Sequence, residues 1–214
     1  MLLIYASRFI KCCVRTIDAL IVGVVGKNKA SEPEYVKKDY PVKKVVHQNL
    51  IQLLVINAKK ELWLIGAQDP FSTSAEDLFW FTPGGSIEGE ETVLQAAQRV
   101  IDREIGLSHN EVRFGPIVWF GEFEYQLMNT VTKCSQQFIV IYTEQSCITL
   151  QQAQIAKKLP VVKTKWFTYD EIVASESIAP IGLKRNIKDV LEQKHPSSPI
   201  KIPLRTNAKQ YYFL

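Results

Sequence analysis

From Pro83 to Leu107 the chain reads as an entry strand, a glycine pair, a loop dense in carboxylates, a helix and a closing glycine. No other segment restricts the fold as much. Gly84 and Gly85 permit a sharp bend that residues with a Cβ resist. Glu88, Glu90 and Glu91 precede the helix, where the dipole of the helix start favours negative charge. Over Thr92 to Ile105, apolar Val93, Ala96, Ala97, Val100 and Ile101 recur at helical spacing, and Gly106 stands where helices usually stop. Carboxylates on a loop and helix are the donors that a hard cation such as Mg²⁺ takes, and Mg²⁺ in turn binds phosphates.

The flanking pattern predicts the rest of the domain. Residues 49–67 read as two strands around the polar turn Ala58–Glu61, followed by a loop over 68–77 and a short aromatic strand at Leu78–Phe81. Further strands are expected at 116–123, 137–143 and 161–167. Helices are expected from Asp170 and over 182–193. Strands and helices mix without regular alternation, which predicts an α+β fold. With 214 residues and 46% apolar content, the chain can build one domain with extensions and is not a disordered polymer.

Charge divides the chain into three. Residues 1–47 carry +5, residues 48–183 carry −6 and residues 184–214 carry +5, giving the overall +4. Residues 1–26 are apolar but interrupted by Arg8, Lys11, Arg15 and Asp18, so no run reaches the roughly 20 apolar residues needed to span a bilayer. The reading is a segment packed on the main domain. A membrane-surface helix acylated at Cys12 and Cys13 is the alternative. The four cysteines form no framework or zinc spacing, which suits a reducing, cytoplasmic compartment. The basic ends suggest weak contact with RNA or anionic lipid.

The glycine loop and helix resemble the box of the Nudix hydrolase family. Gly85, Glu91, Arg99, Ile101, Glu104, Gly106 and Leu107 fall in register over 23 residues, behind a Pro83-Gly84-Gly85 entry and around an Ala96-Ala97 pair. The run Trp166–Ile172 resembles the strand-then-helix element that often closes that domain. The resemblance implies a Nudix-type α/β/α sandwich with a mixed β-sheet over residues 45–175. An extension and linker over 1–44 and a helix with a basic tail over 176–214 would flank it. It also implies Mg²⁺ (or Mn²⁺) as cofactor, a nucleotide-type substrate and, as an open option, a homodimer.

Two box positions depart from the family. The Glu after Arg99 is Val100, and the first of the Glu-Glu pair is Arg103. At 100° per residue, positions 100, 103 and 104 share a helix face, so the expected metal face presents one carboxylate, one cation and one apolar side chain. The pattern resembles the GDP-mannose mannosyl hydrolase branch, which also keeps only the last Glu. No His precedes Trp166, where that branch places its base, and neither His109 nor His195 matches.

On this resemblance Glu104 is the catalytic metal anchor and the Gly85 carbonyl a second ligand. Arg103 contacts the diphosphate, as guanidinium forks suit phosphate. Gly85, Glu91, Arg99 and Gly106 form the structural frame. Glu88 and Glu90 read as surface charges, and Gln136 or Gln137 as neutral residues where many family members place a further Glu. Glu122 or Glu124 could serve as a base, with solvated positions as the plainer reading. Trp80, Phe81, Trp119 and Phe120 read as core before base-stacking. The expected function is Mg²⁺-dependent hydrolysis of a nucleoside diphosphate linked to another moiety. The alternative is a catalytically impaired binding or regulatory module for nucleotide, RNA or protein.

Overall fold

The computed structural model describes residues 41–42, 44–68, 78–148 and 161–204. The segment 1–26 with Cys12 and Cys13, nearly all of the linker, most of the 68–77 loop and the end of the tail (205–214) lie outside the described residues. The chain divides into two compact units, Met1–Pro41 and Val42–Leu214, and the second is the one described. Among the described residues no helix is long and apolar enough to cross a membrane.

Strands β1 (Lys44–Asn57) and β2 (Leu62–Gln68) form the expected hairpin, with Ile56 opposite Leu62. The turn is locked by Asn57, whose Oδ1 accepts the Lys59 and Glu61 N–H groups at 2.9 and 3.0 Å. Strand β3 (Leu78–Phe81) pairs with β2, and β4 (Gly84–Ser86) pairs antiparallel with β1. Strands β5 (Val112–Leu127) and β6 (Thr130–Thr143) form a hairpin much longer than the strands expected at 116–123 and 137–143. Their polar, alternating halves hide the strand period from a search for apolar runs.

β6 lies parallel to β1 from Lys44–Thr130 to Asn57–Thr143. β7 (Val161–Phe167) pairs antiparallel with β2, and β8 (Ile200–Lys201) parallel with β5. The described residues thus form one mixed eight-stranded sheet, ordered β3-β2-β1-β6-β5-β8, with β4 on β1 and β7 on β2.

Alternation along β1 and β6 sends side chains to two cores. Ile51, Leu53, Val55, Ile139 and Ile141 pack with Ala96, Ala97, Val100 and Ile101 of the helical segment that starts at Val93. Leu54, Ile56, Phe138 and Val140 pack on the other face against two helices, α2 (Tyr169–Ala174) and α3 (Ile181–Leu191). The result is the α/β/α sandwich that the sequence led us to expect. Leu183, Ile187, Val190 and Leu191 of α3 are buried in it, each stabilising the fold by about 1.5–3 kcal/mol. Ile202 and Leu204 are buried there too, so the sequence after His195, read as a basic tail, returns to the sheet before residue 205.

Candidate active site

Helix α1 (Val93–Val100) begins with a capping box. Thr92 Oγ1 accepts the Gln95 N–H at 3.2 Å, and Gln95 Oε1 accepts the Thr92 N–H at 2.8 Å. The helix continues through Ile101–Ile105 as a π turn, closed by the Gly106 N–H bonding to the Ile101 carbonyl at 3.0 Å. Gly106 adopts φ 73°, the left-handed conformation that explains glycine at this position.

The loop is fixed to the sheet on one side and to α1 on the other. β4 aligns Gly84, Gly85 and Ser86 with Gln52, Ile51 and Leu50. At Gly84 a Cβ would fall 2.2 Å from the Ile51 carbonyl oxygen, so only glycine permits this approach. At Gly85 a Cβ would meet nothing nearer than Val100 Cγ2 at 3.9 Å. From α1, Arg99 Nε donates to Glu91 Oε1 at 2.7 Å. Its Nη2 donates to Glu91 Oε2 at 2.8 Å and to the Ser86 carbonyl at 2.7 Å. Glu91 Oε2 also accepts the Glu88 N–H at 3.0 Å. The hydrogen bond from Arg99, aided by the Glu88 N–H, lowers the Glu91 pKa to about 2. Glu91 in turn raises that of Arg99. Arg99, Glu91 and the backbone next to Gly85 are therefore joined, and Gly106 ends the helical segment that follows Arg99.

The π turn redistributes residues 100, 103 and 104. It holds more residues per turn than an α-helix, so each step rotates less than 100° and the shared face expected of positions 100, 103 and 104 is broken up. Val100 is 0% exposed, packed in the core beneath Gly85; Glu104 is half-buried; Arg103 is exposed. Ile105 thereby returns to the core, also at 0%. Arg103 and Glu104 remain within electrostatic reach of the frame. Arg103 helps to lower the Glu91 pKa, and Glu104 helps to raise that of Arg99.

The sheet beside the loop separates other candidates. The row Gly85–Ile51–Gln137–Phe120 crosses β4, β1, β6 and β5. Gln137 shares the parity of Ile139 and Ile141 and lies on the α1 side, half-buried; Gln136 is buried with the opposite parity. Glu122 and Glu124 are exposed opposite Ser135 and Lys133. Trp80 and Trp119 belong to the core opposite α1, in line with their plainer reading. The histidines of the second half are engaged elsewhere: His109 Nδ1 lies 2.8 Å from Gln98 Oε1, and His195 Nε2 lies 2.5 Å from Tyr142 Oη. The sequence reading passed over His47 and Asn49 of β1, whose alternation with Val46, Gln48 and Leu50 is the signal that places them on the α1 side.

Among the described residues no group of three His, Cys, Asp or Glu side chains is placed to hold a metal ion. One half-buried carboxylate and a glycine carbonyl do not make a protein-only cage. Mg²⁺ sites with one or two carboxylates complete their coordination with phosphates and water.

Solved structures similar to this chain include three of low sequence identity. The Escherichia coli dihydroneopterin triphosphate pyrophosphohydrolase is 16% identical, over 69% of this chain and 99% of that one, with a TM-score of 0.50. An Ap4A hydrolase from Caenorhabditis elegans is 13% identical over 68% and 96%, with a TM-score of 0.47. The MutT protein of Methanosarcina mazei Go1 is 17% identical over 72% and 97%, with a TM-score of 0.46. No curated protein matches the sequence. A family model described as NUDIX domain matches residues 47–189, more than half of the chain and all of the loop–helix frame. The chain belongs to the Nudix hydrolase superfamily.

Proposed function

We propose that the protein is a Nudix-type hydrolase that cleaves a nucleoside diphosphate linked to another moiety, with Mg²⁺ or Mn²⁺ at an atypical site. The observation that carries this reading is the intact brace. Arg99 ties the Ser86 carbonyl and the Glu91 carboxylate to α1, and so holds the backbone at Gly85 beside the helix that carries Glu104. Glu104 and the Gly85 carbonyl would hold the ion, which when bound neutralises the diphosphate and polarises its oxygens. Exposed Arg103 is free of the core and can turn its guanidinium fork toward the same phosphate oxygens, supplying positive charge that a second ion would otherwise bring. Attack by water at phosphorus or at the carbon bearing the diphosphate are the two routes open to this site.

A specific observation favours a second reading, a binding or regulatory module without turnover. Val100 is sealed in the apolar core where the family carries a carboxylate. A panel of nucleoside diphosphate sugars, dinucleotides and (d)NTPs with Mg²⁺ or Mn²⁺ separates the two. Turnover that falls on the order of a hundredfold in Glu104→Gln supports the hydrolase. Absence of turnover on every compound, with ligands still raising Tm, establishes the binding module instead. The N-terminal basic end lies almost wholly outside the described residues and the C-terminal one is described to residue 204; neither enters these readings.

A further inference from the structure

An open surface depression of about 420 Å³ lies where β1, β6 and β5 run on past the loop. Its walls include His47 and Asn49 of β1, Lys133 and Ser135 of β6, and Glu122 and Glu124 of β5. The strand registers put these six on one face: Asn49 is level with Ser135 and Glu122, and His47 with Lys133 and Glu124. That face is the α1 face, because Asn49 is two residues from Ile51 and Ser135 four from Ile139, both of which pack against α1. The depression adjoins the glycine loop directly. The Asn49 carbonyl accepts the Ile87 N–H at 2.9 Å. At about 3.3 Å per residue, the Asn49 row lies roughly 7 Å and the His47 row roughly 13 Å from the Gly85 row.

The chemistry of the wall selects its ligand. Its two carboxylates are matched by two ammonium groups. Lys133 stands opposite Glu124 in the hairpin, and Lys201 of β8 bonds Glu122 at 2.7 Å and lowers its pKa. Acids and lysines therefore cancel, and a further phosphate gains little here. Phe123 on the wall has the opposite parity and packs toward the other core, which leaves the His47 imidazole as the one ring among the described lining residues on this face. The amide, hydroxyl, imidazole and carboxylate groups that remain both donate and accept hydrogen bonds, the pattern that matches a group carrying several hydroxyls.

We propose that this depression binds the neutral, hydroxyl-rich moiety of the substrate, a glycosyl or ribosyl group, with the diphosphate directed toward Gly85 and Ser86. The inference rests on the nucleoside diphosphate reading above and narrows its substrate class. Calorimetric Kd values of the full chain with Mg²⁺ test it, comparing ADP-ribose with ADP and UDP-glucose with UDP. At least one sugar-bearing ligand should bind about tenfold or more tightly than its parent diphosphate. Asn49→Ala and Ser135→Ala should each erode that advantage by about fivefold while leaving the parent diphosphate unchanged. Equal affinity of sugar-bearing and parent ligands, or variants that weaken both alike, would overturn this assignment whether or not the protein turns over. A sugar preference without turnover supports it and removes the hydrolase reading alone. Failure of all four ligands to bind overturns both.

Discussion

Arg99 Nε lies 2.7 Å from Glu91 Oε1, and the same guanidinium reaches the Ser86 carbonyl at 2.7 Å. One side chain thus closes the eight-residue gap between loop and helix. The pair also carries a pH signature. Glu91 has a folded pKa of about 2 against an ordinary value of 4.5. A depressed carboxylate contributes stability that is complete above the ordinary value and is lost as pH falls toward the folded one. Wild type should therefore lose more Tm between pH 5 and pH 2 than Glu91→Gln does, and the two melting curves should converge near pH 2. Parallel Tm profiles would show that the pair does not brace the loop.

The two glycines of the loop should respond differently to alanine. Gly84→Ala forces a Cβ against the Ile51 carbonyl and should cost about 3 kcal/mol or more in urea unfolding. Gly85→Ala has room beside Val100 and a backbone outside the left-handed region, so its stability should stay within about 1 kcal/mol of wild type. Similar losses for both would contradict the register of β4 on β1.

Val100→Glu places a carboxylate in a fully buried apolar position. In EDTA it should destabilise by about 3 kcal/mol. Combined with Arg103→Glu, the restored carboxylates should make Tm rise by several degrees on adding Mg²⁺, a dependence weaker in wild type. A double variant whose Tm and calorimetric Mg²⁺ affinity do not respond would show that the ion site is elsewhere.

Leu204 is 7% exposed, although it lies in sequence that reads as tail. Leu204→Ala should cost about 2–3 kcal/mol in chemical unfolding. A change below about 0.5 kcal/mol would place residues 200–204 outside the cooperative unit.

The frame of the site was legible because its cues are local. Gly84-Gly85, the helical period and Gly106 act within a few residues of themselves, and Glu91 and Arg99 are joined by a spacing the family pattern already contains. The hairpin of β5 and β6 was only half legible. Its outer half alternates polar residues, and its parallel seam with β1 joins segments about 86 residues apart, as Gln48 and Cys134 are. Burial of Ile202 and Leu204 was hidden for a related reason: two apolar residues among prolines and lysines give no period to read.

The sequence by itself determined the order strand, glycine loop, helix and stop, and its resemblance to the family marked Val100 and Arg103 as departures from the expected pattern. Only the tertiary structure decided where those residues point. Val100 and Ile105 must both reach the α1 core, and a π turn satisfies both by turning Arg103 outward and leaving Glu104 half-buried. A helical wheel fixes angles for one regular geometry, whereas packing selects the geometry that buries the apolar side chains.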